Sequence, residues 1–137
     1  MAKAAAPVRY RFQYAVKFVC TSNIPGTSQT SDAVLPGSYE TSINVHNPLP
    51  KVVRWRRKLA FPGTISDFKD DTLKPDEAAR ITCARVAEEF GPFIHGVEGW
   101  VVIESTGSID VSAVYTAAGD AKVSSFQVVD VRERKLA

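Results

Sequence analysis

Residues 37–50 read GSYETSINVHNPLP, and the fold follows from how that string alternates. Tyr39, Thr41, Ile43 and Val45 fall on one side, and Glu40, Ser42, Asn44 and His46 on the other. Side chains in a strand alternate with period two, so this is a strand with one apolar and one wet face. Asn47, Pro48 and Pro50 stop it. Proline has no N–H for a ladder, and asparagine bonds its own backbone in turns. The wet face sets a carboxylate, a hydroxyl, an amide and an imidazole in a row, which makes Glu40, Ser42, Asn44 and His46 a candidate contact surface.

Downstream, residues 52–61 form a second strand, and the NPLP segment between the two is expected to close a hairpin. Val53, Trp55, Leu59 and Phe61 share its apolar face, interrupted by Arg57. Lys51, Arg54, Arg56, Arg57 and Lys58 put five cations within eight residues. Arg54, Arg56 and Lys58 share one face beside Trp55, a pattern that can follow phosphates while the ring stacks. A solvated edge strand explains the same residues, because edge cations also discourage sheet-to-sheet aggregation. A third reading pairs these cations with Asp67, Asp70, Asp71, Glu88 and Glu89 of a neighbouring copy. With a net charge of only +2, the solvated strand is the preferred explanation.

Upstream, residues 8–20 alternate over an unusual length, with Val8, Tyr10, Phe12, Tyr14, Val16, Phe18 and Cys20 at every even position. Such a strand either bends to serve two sheets or offers its first half to another chain. Residues 21–36 hold Pro25, Gly26 and Pro36 in a Ser/Thr-rich stretch without periodicity, longer than most connections.

Farther along, residues 64–74 read as a polar connection anchored by Ile65, Phe68 and Leu73. Residues 74–90 fit one helix, or a strand over 78–83 followed by a short helix near 84–90; the β-rich surroundings favour the second. Residues 99–104, GWVVIE, are apolar on both faces and belong in the middle of a sheet. Residues 109–116 and 122–131 complete the set. In the last strand the faces change partway, the mark of a bulge or a change of sheet. About seven closely spaced strands and one short helix predict an all-β fold, an antiparallel β-sandwich. The expected organisation is a flexible N-terminus over 1–7 and one domain over 8–137.

The chain has 137 residues, 45% of them hydrophobic and 23% charged, an ordinary globular composition. No apolar run approaches the ~20 residues of a membrane span, and no signal peptide is recognisable, so the expected location is cytoplasmic. The two cysteines, Cys20 and Cys83, read as buried thiols, with one disulfide between strands as the alternative.

No nucleophile elbow, phosphate-binding loop or zinc-protease motif is present, and the expectation is a protein that is not an enzyme and carries no cofactor. The metal ligands Cys20, His46, Cys83 and His95 are scattered, without the close pairing of a zinc site. Both histidines read as solvated, and the adjacent carboxylates of Asp70/Asp71 and Glu88/Glu89 point apart as solvated pairs.

Three segments carry a resemblance: GSYETSINVHNP, LKPDEAARITC and GWVVIESTGSIDVSAVYTA. Together they resemble a family of small uncharacterised bacterial β-sandwich proteins. The resemblance implies that fold and supports a strand at residues 78–83, and it brings no activity with it. A fainter architectural likeness is to the sensory rhodopsin transducer proteins, small oligomeric β-sandwiches that bind partners. The leading functional expectation is a non-catalytic module acting through protein–protein binding or homo-oligomeric assembly, a structural role. Its surfaces would be the long first strand, the 21–36 loop and the basic strand. Two alternatives stand beside it. One is nucleic-acid or anionic-ligand binding through residues 51–58, with Lys51, Arg54, Arg56 and Lys58. The other is a metal protein using His46 with Cys20 or Cys83.

Overall fold

The computed structural model describes residues 7–91, 96–119 and 122–137. Most of the N-terminal segment expected to be flexible, and His95, lie outside the described residues. The elements are β1 (Phe12–Asn23), β2 (Gly37–His46), β3 (Val53–Phe61), β4 (Thr64–Ile65), β5 (Lys69–Leu73), β6 (Ala78–Thr82), α1 (Cys83–Phe90), β7 (Val97–Ser105), β8 (Asp110–Gly119), β9 (Lys122–Asp130) and β10 (Glu133–Lys135). Every strand pairing is antiparallel. The all-β expectation with one short helix holds.

β1 organises the molecule because it serves two ladders. Residues 12–20 pair with β7, whose other side carries β3, and β4 and β5 line the far side of β3. Residues 21–23 leave that ladder and pair with β2, which also carries β6 and β8. β9 closes the second ladder and has no neighbour beyond β8 among the described residues. Of the two fates the alternation allowed for β1, the bend is the one found. Thr41 fastens the junction, since its hydroxyl accepts from Val19 N–H at 2.8 Å and donates to Val19 C=O at 3.1 Å.

The apolar faces of both ladders supply a single core. Tyr14, Val16, Phe18, Trp55, Leu59, Val101 and Ile103 come from one side, and Ile43, Val45, Ile81, Val111 and Ala113 from the other. Burial of each large side chain contributes about 1.5–3 kcal/mol, the dominant favourable term. Gly99 lets β7 approach β3 closely; a Cβ there would lie 2.6 Å from Ala60 O.

Several expectations need correction. β2 and β3 make no hairpin. They belong to different ladders, and residues 47–52 carry the chain from one to the other. Asn47 holds this crossing. It is fully buried, its amide nitrogen donates to the carbonyls of Lys51, Leu73 and Lys74, and its side-chain oxygen accepts from Leu49 N–H. The strands number ten among the described residues, not about seven. Residues 64–74 contain β4 and β5, recruited by main-chain bonds to β3 despite their polarity. Leu73 is buried there as anticipated, but Ile65 is exposed. The bulge in β9 is real: Ala117 pairs with Ser125 and Ala118 with Val123, leaving Ser124 as the extra residue.

Candidate functional site

The basic strand is neutralised only in part from within the chain, at Arg56 and Arg57. Arg56 donates from Nε and Nη2 to Glu104 of β7, at 3.0 and 2.6 Å. Its guanidinium also lies 4.1 Å from the Tyr10 ring centroid and 3.9 Å from that of Phe68. Across the sheet at this level run Asp70, Arg56, Glu104, Gln13 and Arg134, one per strand, with charges of opposite sign alternating over the first three and the neutral Gln13 between Glu104 and Arg134. Lys58 sits over Phe68 at 4.7 Å. Lys51 and Arg54 are exposed. The partners are β7 and aromatic neighbours, and two of the acidic residues that a second copy could offer, Asp70 and Asp71, stand beside β3 in this chain's own sheet.

Arg57, which broke the apolar pattern of β3, points into the interior and is only 3% exposed. Two parallel donors, Nε and Nη2, meet the carboxylate of Glu89 on α1. The guanidinium stacks 4.7 Å from the Trp55 ring centroid, with Asp71 at 3.7 Å from Nη1. Glu89 is therefore not a solvated helix residue. Burial alone would raise its pKa, but hydrogen bonds from Arg57 and Arg85 outweigh that and hold the carboxyl below the ordinary value. A buried charge demands a partner, so an arginine at a core position of a strand was the available signal for this pair.

Cys20 and Cys83 form a disulfide with Cα atoms 5.6 Å apart. It joins β1, where that strand changes ladders, to the first residue of α1. The expectation of buried thiols is corrected, and the metal reading with His46 loses its thiolates. Cys83 lies against Thr41, whose N–H is 3.4 Å from its sulfur. His46 is five residues farther along β2, roughly 17 Å at strand spacing. Among the described residues no group of three or more His, Cys, Asp and Glu side chains has metal-binding geometry.

His46 instead bridges two carboxylates. Nδ1 is 2.9 Å from Asp110 at the start of β8, and Nε2 is 2.6 Å from Asp76 in the turn before β6. Asp76 takes a left-handed backbone conformation (φ 63°), which a short polar side chain tolerates. Donation from its ring N–H groups to Asp110 and then to Asp76 raises the His46 pKa above its ordinary 6.5. A depression of about 490 Å³ beside this group is lined by Tyr14, Asn44, Asp130 and Glu133. The imidazole has both nitrogens engaged, which favours a clasp between elements over a free base.

The remaining candidates, Glu40, Ser42 and Asn44, share the outer face of the second ladder. Pair by pair they stand opposite Thr116, Val114 and Ser112 of β8. Beyond β8, on the same face, come Phe126 and Val128 of β9. The bulge restores Val123 to this face as well. These three are 65%, 58% and 67% exposed. The structure thus brings together small polar side chains and a stripe of large apolar ones. The shared face of Phe126 and Val128 was readable from the sequence; the return of Val123 to it across the bulge, and the edge position of β9, were not.

No family model and no curated protein matches the chain. A crystal structure, Thermotoga maritima 1070, is similar with a TM-score of 0.60 at 8% sequence identity, covering 90% of this chain and 93% of that one. At that identity the likeness concerns the fold alone.

Proposed function

We propose that this protein is a non-catalytic β-module that works through protein–protein contact, with assembly of its own copies as the simplest form, using the outer face of the β2–β8–β9 ladder. One observation carries the reading: Val123, Phe126 and Val128 stand together on one exposed face of an edge strand. Contiguous exposed apolar side chains beside a polar surround mark interaction sites. The motif segments in residues 37–48, 73–83 and 99–117 support placing the chain in the bacterial β-sandwich family.

The nucleic-acid reading through Lys51, Arg54, Arg56 and Lys58 has weaker support, because Arg56 is spent on Glu104 and two rings. The location also shifts. No described helix is long and apolar enough to cross a membrane. The disulfide favours an oxidising compartment over the cytoplasm, where reducing thiol systems oppose such bonds.

Light scattering behind size exclusion, from low to high micromolar protein, tests the reading. The wild type is expected at the mass of two or more chains, and Phe126→Arg at that of one, with unchanged circular dichroism. A wild type that stays monomeric throughout overturns self-assembly. Binding of labelled duplex or single-stranded DNA that weakens steeply with salt would move the function to the basic strand.

A further inference from the structure

We infer that the partner is a second copy of this chain, and that β9 pairs antiparallel with β9 of that copy, continuing the sheet across a two-fold axis centred at Phe126. The inference rests on the protein-contact reading and gives it an occupant and a register.

Main-chain geometry is the first support. Val131 N–H donates to Val111 C=O at 2.9 Å. In an antiparallel ladder alternate residues bond the same neighbour, so the odd residues of β9 after the bulge face β8. Phe126, Val128 and Asp130 then turn their N–H and C=O groups to the open edge. The bulge puts Val123 in the same phase, opposite Ala118. The four residues offering free main-chain groups are the ones whose side chains occupy the outer face.

Self-complementarity is the second. A register centred on Phe126 sets that residue opposite its own copy. Counting Ser124 as the bulge residue, Val128 falls opposite Val123 of the second copy, and Val123 opposite its Val128. Every apolar side chain of the stripe meets another, the kind of cross-strand pair that stabilises a sheet. The antiparallel sense also brings the Lys122 end of one copy beside the Asp130 end of the other, at both ends of the pair. A parallel arrangement would set like charges together.

The third support is the contrast with the other edges. β4 spans two residues, β10 three charged ones, β5 carries Lys69, Asp70 and Asp71, and β6 is five residues with Arg80 exposed at its centre. Short length and charge are how sheets blunt their edges. β9 has nine residues and keeps its apolar outer face. A closed isologous pair satisfies such an edge without leaving a further one to propagate.

Two variants test the pairing. Val128→Pro removes an outward N–H, which an edge strand tolerates, so the fold should persist while the mass falls to one chain. Phe126→Cys should give a symmetric intermolecular disulfide under mild oxidation, since hydrogen-bonded partners lie ~5.5 Å apart. Asp130→Cys, roughly 27 Å from its mate in this register, should not. A monomeric wild type overturns both this pairing and the self-assembly reading. An oligomer that survives Val128→Pro, or that yields no Phe126→Cys cross-link, overturns the β9 pairing alone and leaves the module assembling elsewhere. If Val128→Pro fails to fold, the cross-link decides.

Discussion

Arg57 and Glu89 show what one residue out of pattern can mean. Removing one partner leaves the other charge buried, so Glu89→Gln is expected to cost about 3–5 kcal/mol in urea unfolding at neutral pH. The double variant Arg57→Leu/Glu89→Leu should cost much less than Glu89→Gln, because no charge is then stranded. Equal losses in both would show that the pair contributes only packing. The lowered pKa of Glu89 adds a pH signature. Its stabilisation is complete above the ordinary carboxyl value of 4.5 and fades as pH falls through the lower folded value. His46 has the opposite sign. Its raised pKa means that the clasp stabilises fully below 6.5 and is lost as pH rises through the folded value. A proton titration of the imidazole by NMR should have its midpoint above 6.5, and His46→Gln should flatten stability across that window. A midpoint at or below 6.5 would remove the two carboxylates as partners.

At the level of elements, the disulfide closes a loop between positions 63 apart in the chain. Chain entropy alone assigns such a crosslink about 4 kcal/mol. Replacing Cys20 and Cys83 together by alanine should lower stability by roughly that amount and loosen α1 first, seen as faster amide exchange over residues 83–90. Exchange rates unchanged in α1 would show that Arg57 and Val86 hold the helix unaided. Elements differed in how readily they could be read from the chain. β1, β2, β3, β7 and β8 bury one or both faces, so their hydropathy records the fold. β4, β5 and β10 exist through main-chain bonds to a neighbour, and their exposed side chains leave no periodic trace. The false hairpin between β2 and β3 has the same origin. Turn residues announce that the chain reverses, but they do not say which sheet it enters. The site was legible in parts. The wet face of β2 was visible as a row, whereas its continuation through Val114 to Phe126 and Val128 depends on long-range register.

For the whole molecule, the proposed assembly would be linked to stability. If copies associate in the folded state only, the thermal midpoint must rise with protein concentration. The wild type is expected to show that dependence and Val128→Pro to lose it. A concentration-independent midpoint in both would separate folding from association. Asn47, at the crossing between ladders, adds a constraint on a longer timescale. Spontaneous deamidation begins when the nitrogen of the following residue attacks the asparagine side chain, and Pro48 has no N–H to make that attack. The amide that three carbonyls depend on is thereby protected from turning into a buried carboxylate with age. The same proline that ends β2 also sets the chemical shelf life of the crossing that follows it.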